Sequence, residues 1–192
     1  GQKYMIDEEH GRHTSYLAGR VFDQTLSLHG LNESDRLLLE VAALLHDIGH
    51  FINTIDHDRH GYYILKHSAL IGLEASQQDI VANVIRFHRK ASPSAQDENF
   101  KALPAKARLT VIKLCALLRL ADALEISHTA RLRDLSLENS AHGWQLRLLG
   151  EGEMMLEKWS FEKRKNLFQE VFGVTLEILE QDANQSLSGA KK

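Results

Sequence analysis

The sequence predicts a mainly α protein: a helical bundle over residues 1–130, followed by a small α+β unit of β-β-α-β order over 131–180. Two observations carry that prediction. Apolar residues recur at three- and four-residue spacing through the first two-thirds of the chain. Beyond residue 130 the spacing turns to alternation, punctuated by glycines. A third observation directs the functional reading: of 11 histidines, nine fall between His10 and His88.

The first helix is expected over residues 7–28, with Leu17, Ala18, Val21, Phe22 and Leu28 on its apolar side and Gly30 as its stop. Asn32 or Ser34 can cap a second helix that carries Leu37, Leu38, Val41, Ala42, Leu44 and Leu45 and ends near Gly49. A loop over 53–58 leads to a helix over 60–70, broken by Gly72. Ser76 is placed to cap the next helix, which holds Ile80, Val81, Val84 and Ile85. The polar stretch 91–99, with Pro93, reads as a loop. Pro104 opens the most apolar helix, 106–125. Leu132, Leu135 and Leu137 lead to a turn over 139–143, after which Trp144, Leu146 and Leu148 alternate with polar residues. An amphipathic helix over 154–172 follows, with Leu156, Trp159, Leu167, Phe168 and Val171 on its apolar face and Gly173 as its stop. Val174, Leu176 and Ile178 suggest a last strand, and residues 181–192 are expected to form a disordered tail.

Composition narrows the class. The 192 residues are 43% hydrophobic and 26% charged, ordinary for a globular protein and far from a disordered tail. A net charge of -3 argues against a general nucleic-acid binder. No apolar run approaches a membrane span, and no signal peptide is visible. The lone cysteine, Cys115, cannot close an internal disulfide, which fits a reducing, cytoplasmic setting.

The chemistry-bearing residues stand out against the apolar helices. His46–Asp47 ends the strongly apolar second helix, where a carboxylate costs desolvation unless it is paired or metal-bound. Asp122 sits within the nearly all-apolar segment 117–124. Its partner is either a metal or an arginine, Arg119 or Arg86, and the residues alone leave both open. On the first helix His10 shares the line of Thr14, Leu17 and Val21 and faces the core, whereas His13 falls off that stripe and is expected to be solvated. His10, His46, Asp47 and Asp122 thus form a candidate set of two imidazoles and two carboxylates from three helices. Mixed N/O ligation of this kind suits a divalent ion such as Mn, Fe, Co, Ni, Zn or Mg. His57, His60 and His88 are candidates for a second metal or for substrate contact, and Arg89 with Lys90 for phosphate.

An isolated histidine, then His46–Asp47, then a distant Asp122 resembles the HD superfamily of metal-dependent phosphohydrolases. LLHDIGH (44–50), DHDRHGYYILK (56–66), VIRFHRK (84–90) and LLRLADALE (117–125) resemble the C-terminal part of the exopolyphosphatase/guanosine pentaphosphatase family. LEKW (156–159) and FQEVFG (168–173) resemble the small unit that ends those proteins. The resemblance implies an HD-type helical bundle, a divalent metal, and a phosphate-containing ligand such as a nucleotide or polyphosphate. Members of that family normally begin with two actin-like catalytic lobes, which have no counterpart in these residues and are expected partners in a parent chain. A homodimer is the expected assembly. Two functions follow. In the first, the chain is a phosphohydrolase in which Asp47 orients the attacking water. In the second it is a non-catalytic accessory module that binds polyphosphate or mediates dimerisation, using Arg86, Arg89, Lys90, Arg108, Lys113 and Arg119.

Overall fold

The computed structural model describes residues 7–89, 91–141 and 143–179. Lys90 and the expected tail therefore lie outside the described residues. The protein is mainly α with a small three-stranded sheet.

Helix α1 (Glu8–Gln24) begins at Asp7, whose side chain accepts the N–H of His10. It ends earlier than the periodicity suggests, because the Thr25 hydroxyl donates to the Val21 carbonyl and breaks the ladder before the single turn α2 (Leu26–His29). Asn32 caps α3 (Glu33–Leu45) in a reciprocal box with Asp35. A 3-10 turn (Ile48–Phe51) follows at once. Helix α4 (His57–Lys66) starts three residues before the expected 60. The cap of α5 (Ala75–Arg86) is Glu74, boxed with Gln77, not Ser76. Within the expected loop, Asp97 caps one further turn, α6 (Glu98–Lys101).

Helix α7 (Ala105–Leu124) is the hub. From Leu114 to Leu124 every side chain is buried, and the helix packs against α1, α3 and α5. A helix that is apolar all round has nowhere to lie but the centre of a bundle. Strands β1 (Leu132–Ser140) and β2 (Gly143–Gly150) form an antiparallel hairpin, and β3 (Leu176–Ile178) adds parallel to the other edge of β2. Leu132, Leu135, Trp144 and Leu146 face inward and share one apolar core with Leu114, Phe161 and Phe168.

The amphipathic helix expected over 154–172 is two helices, α8 (Met155–Arg164) and α9 (Asn166–Phe172), meeting at Lys165. The expected apolar face holds at Leu167 and Phe168 but not at Leu156 and Trp159. Leu156 and Trp159 are exposed, while Phe161, Leu167 and Phe168 are buried. Lys165 is buried too, its ammonium held by Glu162 and Glu177 at 2.8 and 2.7 Å. Among the described residues no helix is long and apolar enough to cross a membrane.

Candidate metal centre

Two glycines set the distances between the elements that carry the site. A Cβ on Gly11 would come within 2.6 Å of the Leu44 carbonyl oxygen, so glycine lets α1 lie directly on α3 and brings His10 against His46. A Cβ on Gly49 would come within 1.8 Å of the His57 carbonyl oxygen, so the 3-10 turn touches the start of α4 and brings His57 against Asp47. His88 follows the end of α5, and Asp122 lies in the last turn of α7.

The result is a cluster centred on the partly buried Asp47, in which His10, His46, His57 and His88 are buried and His50 is exposed. Its Oδ2 lies 3.7 Å from His10 Nε2 and 3.4 Å from His46 Nε2. Its Oδ1 lies 3.3 Å from His57 Nε2, 3.4 Å from His50 Nε2 and 3.9 Å from His88 Nε2. Asp122 Oδ1 is 3.7 Å from His46 Nε2. One carboxylate therefore stands between two groups of imidazoles, His10–His46 on one oxygen and His50–His57–His88 on the other.

Tautomers follow from the acceptors. The Nδ1–H groups of His46, His88 and His57 donate to the carbonyls of Ala43, Ile85 and Thr54 at 2.7, 2.6 and 3.1 Å. A neutral imidazole protonated on Nδ1 presents a bare lone pair at Nε2. His10 Nε2 meets His46 Nε2 at 3.2 Å, a contact in which His10, with no acceptor at Nδ1, can donate, whereas His57 and His88 approach each other through two bare Nε2 atoms at 3.2 Å. Facing lone pairs repel, and a shared cation removes that repulsion. His10 Nδ1 is also buried without a hydrogen-bond partner among the described residues. The donor set therefore fits divalent metal, with its imidazoles pre-oriented by backbone acceptors as metal-binding histidines commonly are.

Protonation suits the same purpose. Burial pushes the His88 imidazole down to about 3 and lowers His10 and His57. Burial alone raises the carboxyls of Asp47 and Asp122, but for Asp47 the surrounding imidazoles outweigh it and hold the group well below the usual range. For Asp122 the opposing charges are His46, Arg164 and His88. His10, His57 and His88 are thus neutral and both carboxylates ionised at neutral pH, the forms a metal requires.

The Asp122 partner question has a composite answer. Asp122 Oδ1 faces His46, while its Oδ2 accepts a charge-assisted hydrogen bond from Arg164 of α8. Neither arginine weighed from the sequence is that partner. Arg86 pairs with Asp58 at 2.5 Å, and Arg119 donates to the carbonyls of Phe87 and Ala91. His10 points inward, as expected. Arg164 was hidden because it lies 42 residues from Asp122, in the unit read as a separate appendage.

The other candidates divide. Arg89 lies 3.4 Å from His57 Nδ1 and lines a cavity of about 420 Å³ with Arg119, Lys163, Arg164 and Glu170. His60 sits half-buried on α4 and is in none of the groups of ligating atoms found among the described residues. His50 does reach Asp47, and its ring stacks on His57 at 4.0 Å. Its position four residues after His46 was the available signal.

His13 is not solvated. Its Nδ1–H donates to Glu125 Oε2 at 2.6 Å, and the two side chains are only 15% and 2% exposed. This bond raises the His13 pKa above 6.5, against burial, while burial of Glu125 is outweighed by His13 and the Ala130 N–H, lowering its carboxyl below 4.5. Stability from His13 is thus fully present below pH 6.5 and lost as pH rises through its raised folded value. Stability from Glu125 is present above 4.5 and lost as pH falls through its lowered value. Urea unfolding from pH 5 to 9 is expected to show a decline on the alkaline side that His13→Asn removes. Glu125→Ala, which leaves a partly buried imidazole unpaired, is expected to cost about 3 kcal/mol near pH 6.

Residues 1–167 match the family described as Ppx/GppA phosphatase, domain III, and the chain belongs to that family. It is 29% identical over 174 residues to the guanosine-5'-triphosphate,3'-diphosphate pyrophosphatase of Pseudoalteromonas atlantica, covering 84% of this chain and 34% of the relative. The protein of the same name from Vibrio cholerae is 29% identical over 154 residues, 80% of this chain and 30% of the relative. That of Vibrio parahaemolyticus is 26% identical over 155 residues, covering 80% and 28%. The chain thus spans about a third of the length of these relatives.

Proposed function

We propose that this chain carries a divalent-metal phosphohydrolase centre acting on a phosphate-containing substrate. The observation that carries the reading is Asp47, whose two carboxylate oxygens each face a separate group of imidazole Nε2 atoms. His10, His46, Asp47 and Asp122 would hold one ion; Asp47, His50, His57 and His88 a second. When bound, such an ion lowers the pKa of a coordinated water and polarises a phosphoryl oxygen. The chain's own residues do the rest. Asp47, held ionised, is too weak a base to take a proton outright and acts by orienting the attacking water. Arg89 and the cationic cavity beside it are placed to hold the phosphate. A phosphate-bearing substrate also accords with the pyrophosphatase names of the relatives.

The Asp122–Arg164 pair favours a second reading, in which Arg164 supplies the positive charge and the domain is a non-catalytic module for polyphosphate or for assembly with actin-like lobes or a second copy. Elemental analysis of purified protein separates the two. The metal centre predicts stoichiometric Mn, Fe, Co, Ni or Zn, lost in His46→Ala and Asp122→Ala, and hydrolysis of a nucleotide or pyrophosphate panel with added Mn²⁺ or Co²⁺. Absence of metal and of turnover across that panel refutes the enzyme. Because burial depresses the His88, His10 and His57 pKa values, proton competition is weak, and bound metal is expected to persist below pH 6.5 before release.

A further inference from the structure

We infer that His128 is an additional metal-ligating residue, brought to the exposed side of the His10–Asp47 group by the turn between α7 and β1. The inference rests on the metal reading above. The His128 ring lies parallel on the His10 ring, with centroids 3.6 Å apart and an interplanar angle of 7°. One ring nitrogen of His128 lies within 4.8 Å of the ligating atoms of His10 and Asp47.

Its second nitrogen partner repeats the pattern of the buried imidazoles. His46, His57 and His88 each donate Nδ1–H to a backbone carbonyl, which leaves Nε2 bare. His128 Nδ1 is 3.2 Å from Asp7 Oδ2, so here a carboxylate fixes the same tautomer. A carboxylate behind an imidazole makes its other nitrogen a better ligand. The Asp7 carboxylate is itself fixed, because its other oxygen accepts the His10 N–H at 3.1 Å. One acidic side chain therefore anchors both the helix that carries His10 and the ring that lies over it.

The backbone supports a placed ring rather than a chance contact. His128 has φ 53 and Ala130 φ 49, both left-handed, and Ala130 gains nothing local from that conformation. Glu125 imposes it: its Oε1 accepts the Ala130 N–H at 2.9 Å, and its backbone carbonyl accepts the His128 N–H at 3.0 Å. The turn is thus bent around a buried carboxylate. At 45% exposure the His128 side chain reaches the cluster without being part of the core.

Titration with Co²⁺ alone, followed by calorimetry and by the visible absorption of the bound ion, tests the assignment on the whole chain. His128→Ala is expected to weaken Co²⁺ binding about 10- to 100-fold and to change the visible spectrum through loss of a nitrogen ligand. His128→Phe keeps a ring on His10 but no nitrogen, and is expected to lose as much as the alanine variant. Asp7→Asn is expected to shift affinity in the same direction by less. Wild-type affinity and spectrum in His128→Phe overturn the inference and reduce His128 to a stacking residue. His46→Ala is the reference: if Co²⁺ binding survives it unchanged, the metal centre itself is wrong. If His46→Ala abolishes binding while His128→Phe is silent, the role of His128 alone is refuted.

Discussion

Replacing Asp47 with alanine is expected to abolish divalent-metal binding at both groups of imidazoles and to remove hydrolysis with it. The carboxylate contributes an oxygen to each group, at 3.4 Å from His46 Nε2 on one side and 3.3 Å from His57 Nε2 on the other. Losing an outlying partner of a ligand costs about 10- to 100-fold in affinity. Losing an anion shared by two groups is expected to cost more than about 100-fold at each, since neutral imidazoles alone bring no charge to offset the desolvation of a dication. Asp47→Asn keeps the shape but not the charge and should fall nearly as far. Co²⁺ titration of the two variants beside wild type gives the answer. Wild-type affinity in Asp47→Ala would show that the cluster is a neutral hydrogen-bonded core, not a metal centre.

The second large effect is expected from Gly49→Ala, a change of one methyl group. The added carbon would lie 1.8 Å from the His57 carbonyl oxygen and 2.6 Å from the Gly61 nitrogen. Both are backbone atoms of α4, so a rotamer change cannot relieve the clash. The 3-10 turn and the helix must separate. A loss of about 3–5 kcal/mol in urea unfolding is expected, at the upper end for overpacking. Metal affinity should fall as well, because His57 is carried away from Asp47 with α4. Gly30→Ala is the comparison: its Cβ meets nothing within 4 Å, and at φ 58 it should cost only about 1 kcal/mol. Equal stability of the two variants would mean that the turn and α4 are not held in contact.

The sequence made the helical bundle legible where periodicity was long and the caps conventional. Helix α7 and the Asn32 cap of α3 follow that rule. It was less informative where a local hydrogen bond decided the outcome, as at Thr25, or where two faces of a short helix were comparably apolar, as in α8. The site divides in a similar way. His10 faces His46 because both apolar stripes face the bundle axis, and Asp122 stands out as a carboxylate on an apolar helix. His13 defeats the stripe argument because its partner, Glu125, lies 112 residues away, a contact that no helical period encodes. His128 and Arg164 were equally hidden. Each owes its place to how the segment after α7 folds back, and nothing in its immediate neighbours marks it.

That return of the chain has a mechanical consequence. Arg164 ends α8, and its guanidinium holds one oxygen of Asp122. The outer side of the same helix presents Met155, Leu156 and Trp159, 71%, 60% and 61% exposed. The same short helix therefore joins an exposed apolar surface to the partner of a buried carboxylate. The C-terminal segment thereby buttresses Asp122 from outside the first bundle of helices.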